Sequence, residues 1–228
     1  VSESLWPPAT PNAPLAVLVS GGLDSAVLLA EAAAVYPVVH PIYVHTGLHW
    51  EAVEKQYLDR FLKHIDSPRL APVVELQQPS ADLYGEHWSI TGRSAPRAGA
   101  PNEADYLPGR NLLLFVKPLI WCCLNGVPEL ATAPLAWNPF PDATPAFYDG
   151  LAATVSRAME RTVRIIRPFS HLKKADVVRL GRRWPIHLTF SCITPAGGLP
   201  CGRCSKCGER RTAFAEAGVP DPTTYASP

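Results

Sequence analysis

Two hydrophobic periods alternate along the chain. Residues 15–19 are a short continuous apolar run, followed by a glycine-bearing loop and then by apolar positions at Ala26, Val27, Leu28, Leu29 and Ala32. A run of that length next to glycines predicts a buried strand, and the spacing after it predicts a helix. Residues 38–44 read as a second buried strand, 51–65 as an amphipathic helix and 72–76 as a third strand. Further along, 111–124 read as a helix, 129–133 as a strand, 144–160 as a helix, 163–166 as extended chain and 173–183 as a helix. Alternating strands and helices predict an α/β fold with a doubly wound parallel sheet and helices on both faces.

Two stretches break this pattern. Residues 77–107 carry Pro79, Gly85, Gly92, Pro96, Gly99 and Pro101 with little periodicity. A loop of that length inside a compact domain is a functional lid or a disordered stretch. From His187 onward, cysteine spacing organises the chain rather than any period. The expected division is therefore an α/β domain over residues 1–186 and a small C-terminal element over 187–228 packed on the same domain.

Composition narrows the function classes. No apolar run approaches the roughly 20 residues that span a bilayer, and residues 1–14 lack the basic start and apolar stretch of a signal peptide. A cytoplasmic protein with no membrane partner is expected. A formal net charge of +1 gives no general pull towards nucleic acid. The 25 prolines are spread along the chain and predict stiffened loops.

The chemistry concentrates in two places. Ser20-Gly21-Gly22-Leu23-Asp24-Ser25 lies between the first strand and the first helix. Gly21 and Gly22 let the backbone approach a ligand, and successive N–H groups, the Ser20 and Ser25 hydroxyls and the helix N-terminus can surround a pyrophosphate. Asp24 would repel phosphate directly, so a role through Mg²⁺ or in holding the loop is expected. The second place is Cys192, Cys201, Cys204 and Cys207, with eight, two and two residues between them. Four thiolates suit a tetrahedral, structural Zn²⁺ site, with an iron–sulfur cluster as the rival. Gly202 and Gly208 are expected at its turns. Cys122 and Cys123, in an apolar helix, read as core, and His187 as a surface or hydrogen-bonded residue.

The Ser-Gly-Gly-x-Asp-Ser loop resembles the signature of the PP-loop ATP pyrophosphatases. That resemblance implies a five-stranded parallel sheet of the adenine nucleotide alpha hydrolase-like type and cleavage of ATP between its α and β phosphates. Pro108-Gly109-Arg110-Asn111, Pro168 with Lys174-Ala175-Asp176, and the Cys-x₈-Cys-Gly-x-Cys-x-x-Cys pattern resemble one PP-loop family, the 7-cyano-7-deazaguanine synthases of queuosine biosynthesis. The resemblance spans about residues 16–211. It implies an ATP-dependent ligase that adenylates 7-carboxy-7-deazaguanine and joins it to ammonia, forming an amide and then a nitrile. It assigns ATP binding to Ser20 through Ser25, catalysis to Asp24, Arg110 and Lys174, and substrate binding to His45, Arg110 and Asn111. Structural zinc and Mg-ATP are the expected cofactor and co-substrate.

The chain departs from that family after the second strand. The family has Phe-Asp-Tyr-Gly-Gln, whereas this chain has Val44-His45-Thr46-Gly47-Leu48; residues 137–142 are only loosely similar to the family's segment leading to an aspartate. Expected partners are ATP, ammonia and a small carboxylate, with a homodimer and a protein acceptor as further candidates. One alternative keeps adenylation but activates a deazapurine or other acid for another acceptor, a protein amine in antiphage defence or a tRNA base. A second is a non-catalytic zinc-dependent nucleic-acid-binding module, for which Arg203, Lys206, Arg210 and Arg211 are the clustered cations.

Overall fold

A computed structural model describes residue 6, residues 13–136 and residues 138–226. Most of the N-terminal stretch read for targeting, and Trp137 of the 137–142 segment, lie outside the described residues. The five strands are β1 (Leu15–Val19), β2 (Val39–His45), β3 (Val74–Gln77), β4 (Glu129–Ala131) and β5 (Arg164–Ile166). They form one parallel sheet in the order β3-β2-β1-β4-β5. The helices are α1 (Leu23–Val35), α2 (Glu51–Ile65), α3 (Ala81–Tyr84), α4 (Trp88–Thr91), α5 (Arg110–Leu124), α6 (Pro145–Met159), α7 (Lys174–Gly181) and α8 (Ser205–Ala217).

Strand periodicity sorts side chains to two cores. Leu15, Val17 and Val19 of β1 and Tyr43 of β2 pack with Val27 of α1, Leu58 of α2, Val177 of α7 and Phe214 of α8. Ala16, Ile42 and Val44 face the other way, onto Phe115 and Leu119 of α5 and Tyr148 and Val155 of α6. Helices on both faces explain why the strands are apolar almost throughout rather than alternating. The chain builds outward from β1 in both directions. The crevice above the C-terminal ends of β1 and β4 is thus the topological switch point where ligands bind in such sheets.

Residues 77–107 are neither patternless nor disordered. They hold α3, α4 and a 3₁₀ turn at Asn102–Asp105, and they dock on the C-terminal element. The Ala98 N–H donates to the Arg203 carbonyl and the Ser205 N–H to the Pro96 carbonyl, each at 3.0 Å. Gly208 belongs to this packing. It was expected at a turn of the cysteine cluster but sits inside α8, where a Cβ would come 2.9 Å from Ala98 Cβ. Only Gly202 takes the left-handed turn, at φ +80°. Helix α8 itself was not anticipated, because its apolar positions are few and its first turn is read as a metal motif. Among the described residues no helix is long and apolar enough to cross a membrane.

Candidate active site

The loop after β1 is braced by its own hydroxyls. The Ser20 N–H donates to Ser25 Oγ at 3.2 Å, the Gly22 N–H to Ser20 Oγ at 3.3 Å, and Ser25 Oγ to the Gly22 carbonyl at 3.2 Å. Helix α1 starts at Leu23, so the unpaired N–H groups of its first turn face the loop. The two glycines do different work. Gly21 has φ +73°, and a Cβ there would lie 2.8 Å from the Glu54 carbonyl and 3.2 Å from Leu58 Cβ. It lets the loop pack on α2, and its carbonyl accepts the Phe190 N–H at 2.9 Å. Gly22, not Gly21, lines the cavity beside the loop.

That cavity, of about 580 Å³, lies at the β1–β4 switch point. Ser20, Gly22, Asp24, Arg110, Ala133 and Lys174 are among its walls. A neighbouring cavity of about 250 Å³ shares Ser20, Gly22, Asp24, Glu54 and Arg110 and adds Ser25 and Asn111. Asp24 and Lys174, 150 positions apart, meet at 2.8 Å. The approach is built by α7, whose first turn is capped by Asp176 Oδ2 accepting the Lys173 N–H at 3.0 Å. Asp24 Oδ1 and Arg110 Nε are buried with no hydrogen-bond partner. Unpaired buried polar atoms on a cavity wall are the groups a polar ligand would satisfy.

The ion pair continues into a chain of alternating charge. Lys174 also reaches Glu209 at 3.2 Å, Glu209 pairs with Lys206 at 2.9 Å, and Lys206 with Asp105 at 3.1 Å. Burial alone would lower the Lys174 pKa, but the Asp24 and Glu209 carboxylates outweigh it and hold it raised. Lys174, aided by Lys206 and against burial, lowers Glu209 to about 2. Sequence reasoning missed Glu209 as a site residue and placed Lys206 on a surface patch. Their opposite charges three residues apart on a helix were the available signal.

Arg110 and Asn111 enter through the turn at Gly109, which has φ +75°. Arg110 lines both cavities. Asn111 lines the smaller one, but its side-chain amide donates to the Asp142 carbonyl at 2.8 Å and its backbone N–H to Asp142 Oδ2 at 3.1 Å. Asn111 and Asp142 therefore anchor the start of α5. His45 lines neither cavity. Its ring sits between Glu51 at 3.1 Å and Glu75 at 2.8 Å. Burial would lower its pKa, and the bonds to Glu75 and Glu51 raise it instead. Leu48 is buried in an apolar cluster with Trp50, Tyr57 and Cys192. Two further side chains were not anticipated: Glu54 on the cavity wall, and Tyr43, whose hydroxyl donates to Glu54 Oε1 at 3.2 Å.

The four cysteines are buried, and their sulfurs lie within 4.8 Å of one another. Cys192 and Cys204 Sγ are 3.8 Å apart and Cys201 and Cys207 Sγ 4.0 Å. Tetrahedral Zn–S bonds of about 2.3 Å require sulfur separations of about 3.8 Å. Backbone N–H groups point at the sulfurs, Cys201 N at 3.2 Å from Cys192 Sγ and Cys204 N at 3.4 Å from Cys201 Sγ, as thiolates require. The donor set fits zinc. Cys122 and Cys123 are buried core residues and His187 is exposed, so none of them joins the cluster.

The basic residues of the C-terminal element do not form one surface patch. Arg210 is 1% exposed and donates to Thr189 Oγ1 at 2.8 Å and to the Ile186 carbonyl at 2.9 Å. Lys206 faces the cavity, and the Arg211 guanidinium lies 4.2 Å over the Tyr225 ring. The nucleic-acid-module alternative thereby loses two of its four cations to the interior and the cavity.

Residues 15–218 match the family model described as queuosine biosynthesis protein QueC. The chain is 34% identical over 221 residues to the 7-cyano-7-deazaguanine synthase of Anaeromyxobacter sp. (strain Fw109-5), covering 92% of this chain and 94% of that one. It is 33% identical over 225 residues to the 7-cyano-7-deazaguanine synthase of Nitrosococcus oceani, covering 92% and 96%. A solved structure from Methanocaldococcus jannaschii, described as a "predicted subunit of tRNA methyltransferase", is 14% identical with a TM-score of 0.46, covering 93% and 95%. With the family model matched from the first strand to the end of α8, the chain belongs to the queuosine biosynthesis protein QueC family.

Proposed function

We propose that the switch-point cavity binds Mg-ATP and a carboxylic acid, and that the protein is an ATP-dependent ligase joining the acid to ammonia through an acyl adenylate. The names of its relatives point to 7-carboxy-7-deazaguanine as the acid and 7-cyano-7-deazaguanine as the product. One observation carries the reading: the Ser20–Ser25 loop, Lys174 and Arg110 converge on one cavity whose walls hold two buried, unpartnered polar atoms. In this reading the loop N–H groups and hydroxyls hold the β and γ phosphates, and Lys174 meets the charge that develops as pyrophosphate leaves. Arg110 steadies the α-phosphate or the substrate carboxylate. Asp24 Oδ1 is the free oxygen on which Mg²⁺ would be held. Zinc on the four cysteines would be structural, since four thiolates leave no open position.

Asn138, Pro139 and Phe140 line the larger cavity and would screen an acyl adenylate from water. Chromatography of the nucleotide products tests the reaction. AMP and pyrophosphate, formed only with the acid and Mg²⁺ present, are expected; ADP and phosphate as main products would overturn adenylation. Mass spectrometry then distinguishes the amide from the nitrile, which differ by one water. A second reading keeps adenylation but lets a deazapurine or other acid be activated for another acceptor. It is favoured by His45, tied between two carboxylates, and Leu48, buried in an apolar cluster, where the family has an acid and an amide. Its mark would be acid-dependent AMP formation without nitrogen incorporation.

A further inference from the structure

Three carboxylates line the two cavities: Asp24, Glu54 and Glu209. Asp24 is paired with Lys174 at 2.8 Å. Glu209 lies between Lys174 and Lys206, at 3.2 and 2.9 Å, and stays ionised. Among the described residues Glu54 makes no ion pair, and the Tyr43 hydroxyl donates to its Oε1 at 3.2 Å. It lines both cavities beside Gly22 and Arg110, and the close fit of Gly21 against the Glu54 carbonyl fixes its backbone to the loop. A half-buried carboxyl, unpaired and opening on the reaction cavity, is placed to exchange protons.

We propose that Glu54 is the base that takes the surplus proton from the nitrogen nucleophile as it attacks the activated carboxyl, an assignment that rests on the adenylation reading above. Ammonia attacks the acyl carbon through its lone pair and the C–N bond forms. The bond from the acyl carbon to the phosphate oxygen breaks, and AMP leaves with that electron pair. One N–H proton passes to the Glu54 carboxylate, leaving the neutral amide. The groups around Glu54 suit this role. Burial pushes its carboxyl up to about 7, against Arg110 of α5 and the bond from Tyr43 of β2; Glu51 of α2 adds to the rise and a bond from Trp50 opposes it. A base that titrates near the working pH is half ionised there yet strong enough to accept a proton.

The test uses the intact protein with ATP, Mg²⁺ and 7-carboxy-7-deazaguanine. Acid-dependent exchange of labelled pyrophosphate into ATP reads adenylation, which needs no nitrogen, and amide formation with ammonium salts reads the second half. Glu54→Gln should keep the exchange and lose amide formation by about 100-fold or more, with the rise in rate near pH 7 abolished. Glu54→Asp should retain that rise. Tyr43→Phe should keep it and move it to higher pH, because the Tyr43 bond is among the influences that lower Glu54. Exchange and amide formation falling together in Glu54→Gln would overturn the proposal and make Glu54 a binding group; so would an unchanged pH profile. If the unmodified protein shows no acid-dependent exchange, adenylation itself fails and the proposal fails with it.

Discussion

At Gly21 a side chain would have nowhere to go. The residue has φ +73°, and the space for its Cβ is taken by the Glu54 carbonyl and Leu58 of α2. Sequence alone suggested that Gly21, like Gly22, lets the backbone approach a ligand. The structure assigns Gly21 to the contact between the loop and α2, and Gly22 to the cavity wall. Gly21→Ala should therefore destabilise the fold by about 1–3 kcal/mol through backbone strain and crowding, read as a lower denaturation midpoint. Its carbonyl bonds Phe190, two residues before Cys192, so the loop and the cysteine cluster are not independent sites. Metal content should still be full, because the cysteines themselves are untouched.

Helices α7 and α8 bring Lys174, Lys206 and Glu209 to the Ser20–Ser25 loop from the far end of the chain. Lys174 and Lys206 come from first turns and Glu209 from the second: α7 begins at Lys174 and α8 at Ser205, immediately after Cys204. The cysteine cluster therefore aims Lys206 and Glu209. Glu209 has a folded pKa of about 2 against an ordinary 4.5, with Lys174 the largest cause. A lowered carboxyl stabilises the fold fully above pH 4.5, and that contribution is lost as pH falls through about 2. Glu209→Gln should flatten the fall in stability over that window, measured by denaturant melts at a series of pH values. It should also raise KM for ATP several-fold, since Lys174 loses one of its two carboxylate partners while kcat for a bound nucleotide changes less.

On the scale of the whole molecule, the C-terminal element shares its core with the sheet. Ala213 and Phe214 of α8 belong to the same cluster as Leu15 and Val17 of β1 and Val177 of α7. One cooperative unfolding transition is expected, with no separate melting of residues 187–226. Cys204→Ser, or treatment with a chelator, should lower that single transition and loosen the switch-point cavity together, because a metal held by the four cysteines would add its binding free energy to folding. Cys122→Ala should leave metal content unchanged, its sulfur lying in the α5 core. Calorimetry with elemental analysis checks both. Two separated transitions, or iron with sulfide in place of zinc, would contradict the account.

The sequence by itself determined the strands, most helices, the glycine loop after the first strand and the four-cysteine cluster. Each of those is local: a run of apolar residues, a pair of glycines, cysteines two residues apart. Short motifs, each contained in a few positions, also singled out Asp24, Arg110 and Lys174, which the fold brings to one cavity. What only the tertiary structure decided are meetings between distant positions. Nothing local in α2 says that Glu54 faces the cavity while Glu51 turns to His45 and the Thr46 and Gly47 N–H groups, since both are polar positions on one amphipathic helix. Nothing local makes Arg210 a buried structural cation and Lys206 a cavity residue four positions earlier. The fate of a charged side chain depends on which strands and helices the sheet order brings opposite it. That order, β3-β2-β1-β4-β5, places Asp24 against Lys174 across 150 residues, a contact that exists only once the chain has folded.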